Sequence, residues 1–388
     1  MVKKILRSSL IQTTGVYTAT RVINTAIPFM LMPVLTSYMS PSDYGVIAMF
    51  SVLVSFVSPF TGLSIQGAVA RQYYEREQVH MPTYIGNCLL ILLVSSTSIS
   101  IIFFALSGPI SRLSSFPESW LWIVIAVSVA VFINSIVLVL WQVQIKPYAF
   151  GKYQIAQTML NIGLTLWLVV GLGMTWRGRI QAQLFTSLIF TCIGLLVLKR
   201  NGWLKFRINK EYVRSALRFG VPLVPHSLGG EIMTMTDRFL ITNMVGLSST
   251  GLYSVGYQIG TIILILGASF NEAYVPWLFG KLKSDDGDVK QKIVRLTYAY
   301  CVIIICLAFA LSLVSPWFLK FFVGRQFSGS YVFVFWIAVG CAFRCMYLMV
   351  VNYIFFVQKT YILAWVTFCC ALLNIIFNYV FIKRNGAV

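Results

Sequence analysis

Residues 120–143 read WLWIVIAVSVAVFINSIVLVLWQV, Trp120 to Val143, with no Asp, Glu, Lys or Arg among them. A helix crosses the hydrocarbon core of a bilayer with about 20 predominantly apolar residues, so this run predicts a membrane span. Similar runs recur near Leu10–Tyr38, Tyr44–Ala70, Tyr84–Ser107, Tyr153–Met174 and Ile180–Leu198. Five more follow at Phe219–Met244, Leu252–Phe279, Ile293–Val314, Tyr331–Val357 and Tyr361–Ile382, which makes eleven expected spans. Each is much longer than the roughly 10 residues of a membrane strand. The fold class is therefore all-α membrane, a multi-pass helical bundle.

Composition leads the same way. The chain is 58% hydrophobic and 11% charged, with a mean hydropathy of +0.82, more apolar than a soluble domain. Lys3, Lys4 and Arg7 precede the first apolar run, but no small-residue cleavage site follows, so the run reads as a retained helix rather than a signal peptide. The N-terminus and the even-numbered loops hold twenty cations, including Arg71, Lys146, Lys152, Lys199 and Lys281, against seven in the odd loops and at the C-terminal end. Cationic loops resist translocation. The N-terminus is thus expected on the cytoplasmic side of the membrane. Topology and anionic headgroups account for the net charge of +19 without a nucleic-acid partner.

Several chemistries find no support. No phosphate-cradling Gly-rich loop ends in Lys followed by Ser or Thr, no loop is long enough for a catalytic domain, and the two histidines, His80 and His226, build neither a catalytic constellation nor a metal site. The eight cysteines all fall in apolar runs, as small hydrophobes do. The chain reads as a non-enzyme without cofactor or metal.

The longest polar connection, 199–218, divides the chain into expected lobes of 1–198 and 219–388. The halves echo one another: Arg7, Ser8 and Leu10 match Arg214, Ser215 and Leu217, and Thr36 with Gly45 matches Thr242 with Gly251 at identical spacing. Transporters are often built from such repeats around a midplane site.

Ionisable groups inside the spans are few: Arg21, Glu231, Asp237, Arg238, Glu272 and Arg344. Each costs about 3 kcal/mol or more at the bilayer centre, so each calls for a wet cavity or a partner. A guanidinium stays charged and grips phosphate or carboxylate with two hydrogen bonds, which makes Arg21, Arg238 and Arg344 candidate contacts for an anionic cargo. Asp237 and Arg238 read equally well as an internal pair. Arg71 and Lys146 lie where spans meet the interface and read as snorkelling residues. Amides within spans, Asn24, Gln154, Gln157, Asn161, Asn271 and Asn374 among them, either bind hydroxyl-rich cargo or link helices. Pro59 with Gly62, Pro222 with Pro225, and Pro276 mark expected joints.

The run Leu217–Gly260, LRFGVPLVPHSLGGEIMTMTDRFLITNMVGLSSTGLYSVGYQIG, resembles the central signature of O-antigen flippases of the Wzx type. Ser40–Gly45, Gly67–Glu75 and Trp176–Gly178 are similar to the same family. The resemblance implies the multidrug/oligosaccharidyl-lipid/polysaccharide exporter fold, like that of MATE transporters. It also implies a place in the bacterial inner membrane and the task of moving an undecaprenyl-pyrophosphate-linked oligosaccharide, an O-antigen or other surface polysaccharide unit, to the periplasmic leaflet. On that reading Arg21, Arg238, Arg344 and Asn161 contact cargo, and Asp237, Glu272 and Glu231 couple transport to protons or sodium. Membrane lipids and the polysaccharide polymerase machinery become expected partners. Family members have twelve or more helices, so a further helix is expected after Asn378 and Tyr379. The alternative is a cation-coupled multidrug exporter of the same superfamily.

Overall fold

The computed structural model describes residues 9–282, 287–356 and 361–387. Helices occupy all eleven expected positions, and no strand occurs among the described residues. Packing gathers the chain into two compact units, one of Met1–Met39 with Val46–Phe239, the other of Ser40–Gly45 with Leu240–Val388. The division expected at 199–218 follows polarity. Packing instead leaves that linker and the residues up to Phe239 with the first unit.

In the first unit, α1 (Ser9–Tyr38) is followed by α2 (Pro41–Val57), α3 (Gln66–Tyr73), α4 (Met81–Ala105), α5 (Ser107–Ser114) and α6 (Leu121–Val143). Next come α7 (Pro147–Thr165), which continues into a π-helical turn over Leu166–Gly171, then α8 (Thr175–Arg200), α9 (Lys210–Gly220) and α10 (Leu223–Met244). The second expected span is not one helix. It breaks between α2 and α3, where Gly62, Leu63 and Ser64 all have positive φ, at 77°, 51° and 54°. Gly62 donates its N–H to Ser95 Oγ at 2.9 Å, and a Cβ there would strike the Phe132 ring. The joint marked by Pro59 and Gly62 in the sequence is thus a full interruption.

The first unit's core stacks Ile65, Val69, Ile85, Cys88, Ile136 and Leu198, all buried. Its outer residues are apolar as well: Phe104 is 86% exposed. A water-soluble protein would bear such a surface at the cost of aggregation, whereas lipid accepts it.

The second unit holds α11 (Leu247–Gly260), α12 (Ile262–Leu282), α13 (Gly287–Phe322), α14 (Tyr331–Phe356) and α15 (Tyr361–Asn385), with the start of α2. Apolar burial alone does not hold helices together in lipid, so small residues and close contact must do so. Gly256 and Gly260 lie on the α11 face that meets α14, where added Cβ atoms would come within 2.8 Å of the Ser330 carbonyl oxygen and 2.6 Å of Ile337. Cys341 and Cys345 pack in this unit's buried core with Ala338, Ala342 and Met349. All eight cysteines are free thiols.

The hexapeptide Ser40–Gly45 explains its own helix start. Ser40 Oγ accepts from Asp43 N at 3.1 Å, and Asp43 Oδ2 accepts from Ser40 N at 3.0 Å. Ser caps, Pro41 follows at the first helical position, and Asp43 closes the box from the third. Gly45 then lies against the Leu247 carbonyl, while Gly251 lies against the Pro41 carbonyl. Pro41 precedes Gly45 by the interval that separates Leu247 from Gly251, so the two contacts are reciprocal. The sequence echo of Gly45 with Gly251 thus coincides with a pseudo-two-fold crossing inside this unit.

Seven helices or helix pairs among the described residues are long and apolar enough to cross a membrane, and Val22–Tyr38 and Pro41–Val57 are shorter apolar helices. The break at Gly62 shortens α2, and α10 carries Glu231, Asp237 and Arg238.

Candidate functional site

Polar side chains follow one face of α7. Gln154, Thr158, Asn161 and Thr165 succeed one another at intervals of four, three and four, the spacing that aligns residues on a helix. The face meets α1 and α8. Near its start, Thr20 lies on Gly151, where a Cβ would come within 2.7 Å of the Thr20 hydroxyl oxygen, and the rings of Tyr17 and Phe150 meet edge to face at 5.0 Å. This approach brings Asn24 of α1 between two α7 residues: it donates to Gln154 Oε1 at 3.1 Å and accepts from Thr158 Oγ1 at 2.8 Å.

Two turns further, Arg179 reaches across from the start of the second turn of α8. Its Nη1 donates to Asn161 Oδ1 at 2.5 Å and to Thr165 Oγ1 at 2.9 Å. Thr165 is fully buried and donates to the Asn161 carbonyl at 2.6 Å. The backbone then widens into the π turn over Leu166–Gly171, a feature common beside functional sites. Gly178 brings α8 close to that turn, since a Cβ would lie 3.1 Å from the Leu168 carbonyl carbon. The result is a half-buried track of amides and hydroxyls that ends at the Arg179 guanidinium. Amides and hydroxyls of this kind link helices or meet hydroxyl-rich groups, and a guanidinium suits phosphate or carboxylate.

The residues singled out in the sequence are distributed as follows. Asn161 is in the track. Arg21 lies on α1 one turn before Asn24, and its side chain falls outside the described residues. Glu231, Asp237 and Arg238 are half-buried on α10, where Arg238 Nη1 approaches the Thr234 carbonyl and Met235 Sδ at 3.4 Å each. Glu272 on α12 and Arg344 on α14 are exposed in the second unit. Beside Glu272, Asn271 accepts from Asn352 Nδ2 at 2.8 Å and so ties α12 to α14. No group of His, Cys, Asp and Glu suited to a metal occurs among the described residues.

Arg179 is the residue the sequence reading missed. It falls between the expected spans Tyr153–Met174 and Ile180–Leu198, but α8 starts at Thr175 and carries Arg179 at the start of its second turn, against α7. Trp176–Gly178, which precede it, carried part of the family resemblance and were the available signal. Thr158 and Thr165 were missed because threonine is unremarkable in an apolar helix until its period is compared with that of the amides.

The fold is one that solved membrane transporters share. The chain superposes on the lipid II flippase MurJ in an inward closed conformation with a TM-score of 0.73 at 14% identity, covering 97% of this chain and 82% of that one. It superposes on an inward-facing MATE family multidrug resistance transporter of the MOP superfamily with a TM-score of 0.64 at 12% identity, covering 96% and 88%. The chain belongs to the polysaccharide biosynthesis protein family, whose model matches residues 34–332. It is 26% identical to an uncharacterized membrane protein of Haemophilus influenzae over 95% of this chain and 89% of the relative. It is also 22% identical to the succinoglycan biosynthesis transport protein ExoT of Rhizobium meliloti, over 77% of this chain and 60% of the relative.

Proposed function

We propose that the protein moves an undecaprenyl-pyrophosphate-linked oligosaccharide, the repeat unit of O-antigen or a similar surface polysaccharide, across the bacterial inner membrane by alternating access. The observation that carries this reading is the α7 track with Arg179 at its end, in a chain of the polysaccharide biosynthesis family. The cargo is an anionic diphosphate bearing many hydroxyls, and the track offers a cation and a row of amides and hydroxyls. Arg21, Arg238 and Arg344 serve as further cargo contacts, and Asp237, Glu231 and Glu272 carry the coupling proton or sodium. The cytoplasmic N-terminus follows from the distribution of Lys and Arg. The lobes 1–198 and 219–388 exchange access, with the 199–218 linker travelling with the first, and the polymerase machinery receives the product.

A clean deletion of the gene tests this. The expected phenotype is loss of surface polysaccharide, with lipid-linked repeat units accumulating on the cytoplasmic leaflet. Normal surface polysaccharide in the deletion strain would contradict it. The half-buried acids of α10 favour one second reading, a cation-coupled drug exporter. That reading expects drug hypersensitivity with intact surface polysaccharide.

A further inference from the structure

Helix α9 carries a surface that the translocation reading does not use. One side of it is fixed to the first unit. Ala216 is buried, Gly220 lies against the Leu63 carbonyl, and the Tyr212 hydroxyl accepts the His80 N–H at 3.1 Å. Its approach is pinned as well: Asn87 Nδ2 donates to the Arg207 carbonyl at 2.9 Å, Asn87 Oδ1 accepts from Asn209 N at 3.0 Å, and Asn209 caps the helix by accepting from Glu211 N and Tyr212 N. Asn87 is fully buried, so the helix is held in one position.

The opposite side is open. Lys210, Arg214 and Arg218 recur every fourth residue and are exposed, and beside them Val213, Leu217 and Pro222 line a groove of about 760 Å³. Phe206 and Ile208, just before the helix, are 66% and 76% exposed. Nearby, the Tyr73 and Trp203 rings lie 6.0 Å apart and Arg76 stacks over Tyr73 at 4.5 Å, aromatic and cationic residues of the kind that collect at headgroup depth. A row of cations flanking an apolar groove is complementary to one end of an amphiphile: phosphate on the cations, chain in the groove.

We infer that α9 and its groove form a preorganised binding site for an anionic glycerophospholipid of the surrounding bilayer. Lys210, Arg214 and Arg218 hold the headgroup phosphate, and Val213, Leu217 and Pro222 hold an acyl chain. A fixed helix forfeits little conformational entropy on binding, and each basic residue near an anionic surface contributes about fivefold in affinity.

The test is native mass spectrometry of the purified full-length protein after exchange into mixed phosphatidylglycerol and phosphatidylcholine, with inorganic phosphate and undecaprenyl diphosphate as competitors. Wild type is expected to retain phosphatidylglycerol over phosphatidylcholine by tenfold or more, with inorganic phosphate having no effect. The triple variant Lys210→Gln, Arg214→Gln, Arg218→Gln should bring the two lipids to parity, and the Arg214→Lys, Arg218→Lys variant should keep most of the preference. Equal retention of the two lipids by wild type, or an unchanged preference in the triple variant, would overturn the assignment. So would selective retention of undecaprenyl diphosphate without phosphatidylglycerol, which would make the groove a cargo site.

Discussion

Arg179 of α8 donates to Asn161 of α7 at 2.5 Å, joining a cation to an amide ladder that also includes Gln154, Thr158 and Thr165. The guanidinium fixes the end of the track next to a π turn, where α7 departs from regular geometry. A charge in that position is costly in lipid.

Arg179→Ala is expected to reduce surface polysaccharide tenfold or more while leaving membrane insertion unchanged. Arg179→Lys should retain only part of the activity, because the shorter side chain carries a compact, strongly hydrated ammonium that must reach both Asn161 and Thr165 from one nitrogen. Quantitative immunoblots of polysaccharide and protein in a complemented deletion strain measure both. Full activity of the alanine variant would remove Arg179 from the path.

Arg21→Ala and Arg344→Ala are each expected to abolish surface polysaccharide with normal protein levels in the membrane. Full complementation by both variants would make these arginines structural. The comparison with Arg179 then shows whether the first unit alone supplies the essential cations.

Asn24→Leu removes two inter-helix hydrogen bonds, to Gln154 and from Thr158. Each such bond in a membrane is worth about 0.6 kcal/mol. The expected loss is about 1 kcal/mol, read as a small fall in the melting temperature of the detergent-solubilised protein. A fall of more than about 10 °C would mean that the amide holds far more than these two bonds.

The reciprocal glycines respond as a pair. Gly45→Leu or Gly251→Leu places a side chain against a backbone carbonyl, and overpacking of this kind costs about 1–3 kcal/mol. Both variants are expected to lower thermal stability by similar amounts because their surroundings are equivalent. A large effect from one with none from the other, measured by the same melting assay, would show that the sequence echo is not a structural repeat.

Gly62→Ala forces a Cβ into left-handed backbone at a φ of 77° and onto the Phe132 ring. The backbone term alone is about 1–2 kcal/mol, so reduced expression or a lowered melting temperature is expected. Shortening the ring in a Gly62→Ala, Phe132→Leu double variant should recover part of the loss but not the backbone term.

Much of this was legible in the amino-acid sequence because the bilayer imposes so simple a rule: about 20 apolar residues make a span. Helices occupy the expected stretches, although seven are long and apolar enough to span among the described residues and the second stretch is broken at Gly62. The joint at Pro59–Gly62 was also visible as local chemistry, whereas Ser40–Asp43 stood out only through the family resemblance and its capping box emerged with the structure. What escaped was tertiary. Arg179 looked like a loop cation until the close approach at Gly178 set α8 against the π turn. The α7 track was visible only in part, since its amides stood out among apolar residues and its threonines did not. The second unit's glycine contacts have no charge to announce them.

The central claim is translocation of a lipid-linked glycan, and reconstitution tests it most directly. Proteoliposomes containing the purified protein receive a fluorescent undecaprenyl-pyrophosphate-linked oligosaccharide in one leaflet, and a membrane-impermeant quencher reports its appearance in the other. The account predicts transfer well above protein-free vesicles, reduced tenfold or more by Arg179→Ala at equal protein incorporation. Transfer by the wild-type protein no faster than in protein-free vesicles would contradict it.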